Sequence, residues 1–315
     1  MKKALIVLIT ACMMLMPVSG FAENWSPSGT IKLQVGFAAG GSTDILGRLI
    51  AARVEEDTGW NIIVENKPGG GGVAMLSTLI GQKPDGLTLG LCVNVPILIS
   101  LALRGETLPF KINSFDYIGT ITKAENALVA RVDAPFDNFV EFLDYVKKQG
   151  SVAVGYDANP QQMVLNAVSN QAGVKFKQIG HKSGAEQIQN LLGGHIVLAC
   201  LSGEHIKYLE SGDLKMIGVY NKERHAHAPE VKTLLEDGYD YYIDPYYYIA
   251  APKGLPDNVK TTLAQVFDNA INSEKVAESL SDTLKAKPHN LGPEETRKML
   301  TDGENDIKFL IEAAK

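Results

Sequence analysis

The sequence is short of cysteine, tryptophan and positive charge. Three cysteines and two tryptophans occur in 315 residues, too few for a disulfide-built scaffold. Asp and Glu outnumber Lys and Arg by 36 to 30, a net charge of −6. A chain of that sign is a poor partner for nucleic acid or an anionic membrane. Its overall field also repels small anions, so any anion must be held by local features. Low-complexity and single-charge tracts are missing, which argues against disorder. The P-loop G-K-[ST], the G-x-S-x-G elbow and the H-E-x-x-H zinc motif are absent too. No cofactor and no metal is expected.

Long apolar runs are confined to the start. Met1-Lys2-Lys3 forms a positive n-region, Ala4 to Met16 is apolar, and Gly20-Phe21-Ala22 supplies small residues at a cleavage position. These features read as an export signal over residues 1–22, cut near Ala22 and before Glu23. The run is too short to span a bilayer, so the mature chain is expected in the periplasm. Loss of Lys2 and Lys3 takes the net charge from −6 to −8. Ile9-Thr10-Ala11-Cys12 also resembles a lipoprotein box, which would leave a lipid on Cys12. The export cut is preferred, because the lipoprotein cut would leave Met13 to Phe21 as an apolar tail. Cys92 and Cys200 lie in apolar strand-like runs and are expected to be two buried thiols in separate sheets.

The rest alternates between strand and helix signals. Ile31, Leu33 and Val35 alternate with Lys32 and Gln34, and Ile45, Leu46, Leu49, Ile50 and Val54 follow at helical spacing. Ile62 to Val64 and Leu87 to Val93 read as further strands. The pattern restarts near residue 125, with strands at 128–132, 152–154, 175–179, 196–200 and 214–219 and helices between them. Residues 259–315 read as mostly helical, and Tyr246 to Ala250 as a strand returning to the first lobe. The expected fold is therefore α/β and two-lobed, each lobe a mostly parallel sheet flanked by helices, with a ligand cleft between. The boundaries are a first lobe of 23–124 plus 244–315 and a second of 125–243.

Three loops at strand ends are candidates for binding. Gly40-Gly41-Ser42-Thr43-Asp44 leads into a helix, whose first turn presents unsatisfied N–H groups and a positive dipole end. Glycines allow close backbone approach, and Ser42 or Thr43 can cap. This makes a carboxylate or phosphate site without Lys or Arg, although a capped tight turn explains the residues equally well. In the second half, Gly155 to Gln162 offers Asn159 as a cap and Pro160 at the first helical position. Gly180-His181-Lys182-Ser183-Gly184 opens the next helix. Strand ends of α/β sheets are where ligands bind. Ser183 with His181 resembles a nucleophile and base only superficially. His225-Ala226-His227 reads as a solvated loop rather than a metal site, and the tyrosines at 239–248 as sheet core with one or two members lining a cleft.

Several motifs, in order over nearly the whole mature chain, resemble the solute receptors of tripartite tricarboxylate transporters, the Bug-type receptors. They are Val35-Gly36-Phe37-Ala38-Ala39-Gly40-Gly41-Ser42-Thr43-Asp44, Val64 to Gly72, Lys83 to Leu89, Ser183-Gly184-Ala185, Leu191 to His195, Ser211 to Lys215 and Ala251 to Pro256. The resemblance implies a type II-like periplasmic binding protein that closes on a small carboxylate, a di- or tricarboxylate, aromatic acid or acidic amino acid. It implies delivery to a membrane permease by a monomer without catalytic residues. It also implies ligand contacts from Phe37, Ala39, Gly40, Gly41, Ser42, Thr43, Asp44 and Asn94 of the first lobe, with Tyr246. Tyr156, Ala158, Asn159, Gln161, His181, Lys182 and Ser183 would answer from the second. Departures fall at Tyr156-Asp157-Ala158-Asn159-Pro160, where the family is rich in Gly and Ser. They also fall at His181, often Tyr, at Tyr246, near a usual Trp, and at Val93-Asn94-Val95-Pro96. A ligand sensor for a signalling system and a periplasmic hydrolase are the alternatives.

Overall fold

The computed structural model describes residues 25–315; the export signal and Cys12 lie outside the described residues. Ten strands, numbered along the chain, form two five-stranded sheets. The first holds β1 (Ile31–Val35), β2 (Ile62–Asn66), β3 (Thr88–Val93), β4 (Phe115–Lys123) and β10 (Tyr246–Pro252), in the order β2-β1-β3-β10-β4. The second holds β5 (Ala127–Arg131), β6 (Val152–Tyr156), β7 (Phe176–Gly180), β8 (Leu198–Leu201) and β9 (Leu214–Val219), in the order β7-β6-β8-β5-β9.

In each sheet four strands run one way and one runs against them. β1 pairs parallel with β2 and β3, while β10 is antiparallel to β3 and β4. β6 pairs parallel with β7 and β8, while β5 is antiparallel to β8 and β9. The opposed strand is in each case the one whose chain arrives from the other sheet: β5 comes from β4, and β10 comes from β9. A strand entering without its own crossover helix starts at the shared edge, so it runs opposite to its neighbours.

Helices cover both faces. On the first sheet, α1 (Ser42–Thr58), α8 (Asp257–Ile271) and α9 (Glu274–Leu284) pack Leu46, Ile50, Leu263, Phe267 and Leu280 against Ile31, Leu33 and Ile249. Coverage on both faces explains why Gln34 is buried where simple alternation would expose it. The other face carries α2 (Val73–Leu79), α3 (Asn94–Arg104) and α10 (Gly292–Ala313). The second sheet is flanked by α4 (Phe139–Gln149) and α5 (Asn159–Ala172) on one side, and by α6 (Gly184–Leu192) and α7 (Ile206–Glu210) on the other. One apolar cluster runs from Met75 and Leu98 through Leu300 and Ile307 of α10 to Val164 and Phe142. The Asn170 amide donates to the Ala313 carbonyl at 3.0 Å, so the last helix ties the two sheets together along one side.

The chain crosses between the sheets at residues 124–126 and 243–245. Ala124 N–H donates to Pro245 O at 2.9 Å. Asn126 N–H donates to Asn221 Oδ1 at 2.5 Å, and the Asn126 amide donates to Ile243 O at 3.0 Å. The Asn221 amide nitrogen in turn lies within 3.1 Å of Ala124 O and Ile243 O, and 2.8 Å from Asp244 Oδ1. Two buried asparagines thus satisfy the backbone of both crossings, where no sheet ladder reaches. Cys92 and Cys200 are free, buried, and in different sheets.

Candidate functional site

The first-lobe loop is fixed from below. A Cβ on Gly36 would lie 2.7 Å from the Cα of Gly72, so two backbones cross where only glycine fits. Gly40 has φ 81°, and its N–H donates to Asp44 Oδ2 at 2.9 Å. Asp44 also accepts from Arg48 Nε at 3.0 Å and from the Asn66 amide at 2.8 Å. Asn66 donates as well to Phe37 O at 3.1 Å. The Arg48 guanidinium, with help from Gly40 and Asn66, holds the Asp44 carboxyl down at about 2. Asp44 is buried and fully engaged, so its side chain braces the loop.

The cap of α1 is Gly41, with φ −79° and no side-chain hydrogen bond. This corrects the expectation that Ser42 or Thr43 caps; both stand inside the first turn. The Ser42 hydroxyl is turned instead to Tyr247, 3.3 Å from its phenol oxygen. Ile45 N–H is taken by Gly41 O at 3.0 Å. The N–H groups of Ser42, Thr43 and Asp44 have no hydrogen-bond partner among the described residues. Ala38, Ala39, Gly40 and Gly41 are exposed around them. The result is an open set of donors at the positive end of a 17-residue helix.

The second-lobe loops are more occupied. The cap of α5 is Ala158, not Asn159, and Gln161 Oε1 accepts from the N–H of Asp157 at 2.8 Å and of Ala158 at 3.3 Å. Gln161 therefore spends its side chain on its own loop, while Ala158 and Asn159 stay exposed. The Tyr156 hydroxyl accepts from the Gln162 amide at 2.8 Å. Ser183 is the cap of α6, its hydroxyl accepting Glu186 N–H at 3.3 Å, and Glu186 accepts Lys182 N–H at 2.7 Å. The Ser183 hydroxyl thus caps the helix. His181 N–H donates to Tyr156 O at 2.8 Å, and its Nδ1 is buried without a partner. Lys182 is exposed.

Two carboxyls complete this wall. Burial raises Asp157, which has Gln161, Gln187 and His181 around it. Burial also raises Glu204, which accepts Ser202 N–H at 3.1 Å. A Cβ on Gly184 would lie 2.8 Å from the Glu204 carboxyl carbon, so Glu204 rests on the start of α6. Burial raises the phenol of Tyr247 too, and Glu204 adds to the rise from the opposite lobe. Ser42 and Tyr247 meet on the first-lobe side. Beside Glu204, a Cβ on Gly203 would lie 3.0 Å from Leu284 O, at the end of α9. A cavity of ≈ 290 Å3 opens there between Ala185, Glu204, Tyr208 and Lys285.

Asn94 and Tyr246 sit elsewhere. The buried Asn94 amide donates to Asp244 O at 3.0 Å and its oxygen accepts Tyr246 N–H at 2.8 Å. Both line a cavity of ≈ 180 Å3 with Lys222, Tyr242 and Asp306, beside the crossings.

Residues 46–315 match the profile of the tripartite tricarboxylate transporter family receptor. The chain belongs to that family. A curated relative from Cupriavidus necator, the UPF0065 protein in the gbd 5′ region, is 29% identical over 307 residues, 94% of this chain and 90% of its own. A solved TctC solute-binding protein from Polaromonas superposes with TM-score 0.80 at 29% identity, over 91% of this chain and 99% of that one. The periplasmic binding protein BugD gives TM-score 0.68 at 25% identity, over 92% and 98%. Receptors of this family are periplasmic and bind solutes for a tripartite transporter; the protein is a receptor and not an enzyme. Glu204 and Tyr247 were not among the residues expected from sequence. Glu204 follows the end of β8, so the strand-end rule that picked Asp157's loop would have reached it.

Proposed function

We propose that the protein captures a small carboxylate between its lobes, residues 23–124 plus 244–315 and residues 125–243, and hands it to a tripartite tricarboxylate-type permease. An export signal ending near Ala22 would deliver it to the periplasm, where it works as a monomer. The observation that carries this reading is the trio of unpartnered N–H groups of Ser42, Thr43 and Asp44. They lie at a helix start, beside the Tyr247 hydroxyl. A carboxylate seated there accepts charge-assisted hydrogen bonds from donors that are already in position.

Closure about the crossings at 124–126 and 243–245 would bring Ala158, Asn159, His181 and Lys182 over the ligand. The test is a melting-temperature screen with di- and tricarboxylates, aromatic acids and acidic amino acids. A ligand at about 100 times its dissociation constant adds about 2.7 kcal/mol. A complete panel without any shift, and no small molecule released on denaturing the purified protein, would refute the reading.

A further inference from the structure

The apolar packing differs between the two faces of the molecule. On the face of α2, α3 and α10 one cluster is continuous across both sheets. Leu300, Ile307 and Leu310 of α10 pack in it with Leu98 of the first lobe and with Phe142 and Val164 of the second. The face of α1, α8 and α9 carries two separate clusters. Leu46, Ile50, Leu263 and Leu280 stay with the first sheet, while Ile188, Leu191 and Leu214 stay with the second. Parting the sheets on the α10 face exposes buried apolar surface, at about 25 cal/mol per Å2. Parting them on the α9 face leaves both clusters closed. The starts of α1 and α6 belong to this second face, since Leu46 and Ile188 lie in its two clusters.

Polar and ring contacts follow the same division. α10 is fastened to the second lobe by the Asn170 amide on Ala313 O at 3.0 Å and by the Tyr242 hydroxyl, which donates to Asp306 Oδ2 at 2.7 Å. The Tyr241 ring also stacks on Phe309, with centroids 6.0 Å apart. On the α9 face the lobes meet backbone against backbone. Gly203, with φ 102°, stands in the turn after β8. A Cβ on it would lie 3.0 Å from Leu284 O and 3.8 Å from the Cβ of Lys285. Lys285 ends α9 in the left-handed region, its N–H on Leu280 O. Around this contact lies the cavity of ≈ 290 Å3, to which Glu204 and Lys207 contribute from one lobe and Lys285 from the other. Such charged side chains are solvated as well apart as together, so this seam parts at little cost.

We propose that the receptor opens on the α9 face: the turn at 202–204 lifts away from Leu284 and Lys285 while α10 stays packed on α5 as a spine, and the ligand enters through the cavity beside Glu204. This rests on the capture reading and adds to it which contacts part and which hold.

The experiment is electron double resonance on the full mature chain, with spin labels on two cysteine pairs. Lys207→Cys with Asp282→Cys spans the mouth, and Gln171→Cys with Glu312→Cys spans the packing of α10 on α5. All four positions are exposed, whereas Cys92 and Cys200 are buried and stay unlabelled. Distances are read without ligand and with citrate, succinate or glutamate added, and melting curves verify the fold and report which probe binds. The expected result is a 207–282 distance that is longer and more widely spread without ligand, and short with any probe that raises the melting temperature. The 171–312 distance should remain one narrow distribution throughout. A 207–282 distance that does not change with a probe that binds overturns the proposal and leaves capture standing, as does a 171–312 distance that lengthens without ligand. Where none of the three probes binds, the ligand-free chain decides: a wide 207–282 distribution beside a narrow 171–312 one supports the opening, and two narrow ones overturn it. Should the label at 207 unfold the chain, Glu210→Cys reads the same motion from the far end of α7.

Discussion

Replacing Gly41 by valine separates a binding loop from a mere turn. Gly41 has φ −79° and ψ 168°, extended backbone that a β-branched residue adopts without strain. The nearest atom to its Cβ would be Ala38 O at 3.4 Å, an ordinary contact. Stability should therefore change by less than about 1 kcal/mol, with the loss of glycine freedom in the unfolded chain offsetting part of any cost. The added methyls stand directly before the N–H groups of Ser42 and Thr43. Blocking two charge-assisted hydrogen bonds of about 1.5–3 kcal/mol each removes about 3–6 kcal/mol, which weakens binding by at least about a hundredfold. Urea unfolding and calorimetric titration of the same preparation measure both quantities. A valine variant that stays folded and binds within threefold of the parent would show that no guest approaches the start of α1. Gly40 is the poorer probe, because its φ of 81° strains any side chain by about 1–2 kcal/mol regardless of ligand.

Other outcomes follow from single groups. Asp44→Ala should lower stability by about 1–2 kcal/mol, since Gly40 N–H, Arg48 and Asn66 lose one acceptor; it should also weaken binding by loosening the loop, and a Tm within one degree of the parent would contradict this. His205 has no exposed surface and neither ring nitrogen has a partner; burial, then His225, lowers it from 6.5 to about 3. The unfolded chain takes up that proton first, so the stability contribution is complete above about 6.5 and shrinks as pH falls toward 3. At pH 5 the loss is at most about 2 kcal/mol. His205→Leu should flatten the stability profile between pH 7.5 and 5 relative to the parent, and parallel profiles would refute it. Burial holds the Cys92 thiol up at about 12 and raises Cys200 as well. A thiol reagent should therefore leave both unmodified in the native protein and label both in urea; rapid native labelling of either would contradict their burial.

Legibility from sequence divides along a physical line. The first loop was readable because its signals are local: paired glycines between a period-2 run and a period-3.6 run. The same holds for the loop Gly180 to Gly184, read as a helix start, where Ser183 is the cap. β4 was not readable, because Phe115 to Thr122 are all buried and a strand covered on both faces has no alternation. Asn159 was a reasonable cap by residue type, yet Gln161 reaches back to the same loop and moves the cap to Ala158. Composition ranks the candidates for a cap, but side-chain reach decides among them. Asn94 shows the same limit. Its amide could serve a ligand by type, and the crossing at Asp244 and Tyr246 claims it.

The site itself was half readable, because the other half depends on strand order. Ser42 and Tyr247 are 205 residues apart in the chain, and no periodicity links them. Strand alternation says that Tyr246 and Tyr247 face opposite ways, but not which of them faces α1. Only the placement of β10 between β3 and β4 settles it: Tyr247 packs with the α1 side and Tyr246 faces the crossings. Likewise the loops after β6 and β8 leave neighbouring strands of the second sheet, a relation that no local pattern shows. Local sequence therefore specifies the donors, each being a property of one helix start. Which second-lobe loops stand together is a property of strand order. A receptor built this way can keep its carboxylate grip while changing what the far wall accepts, since substitutions at 157 or 204 leave the α1 loop untouched. On that argument Gly41→Val should weaken every carboxylate alike, because the N–H groups behind it belong to one helix start; calorimetric titration with two unlike carboxylates that lost affinity for only one of them would refute it.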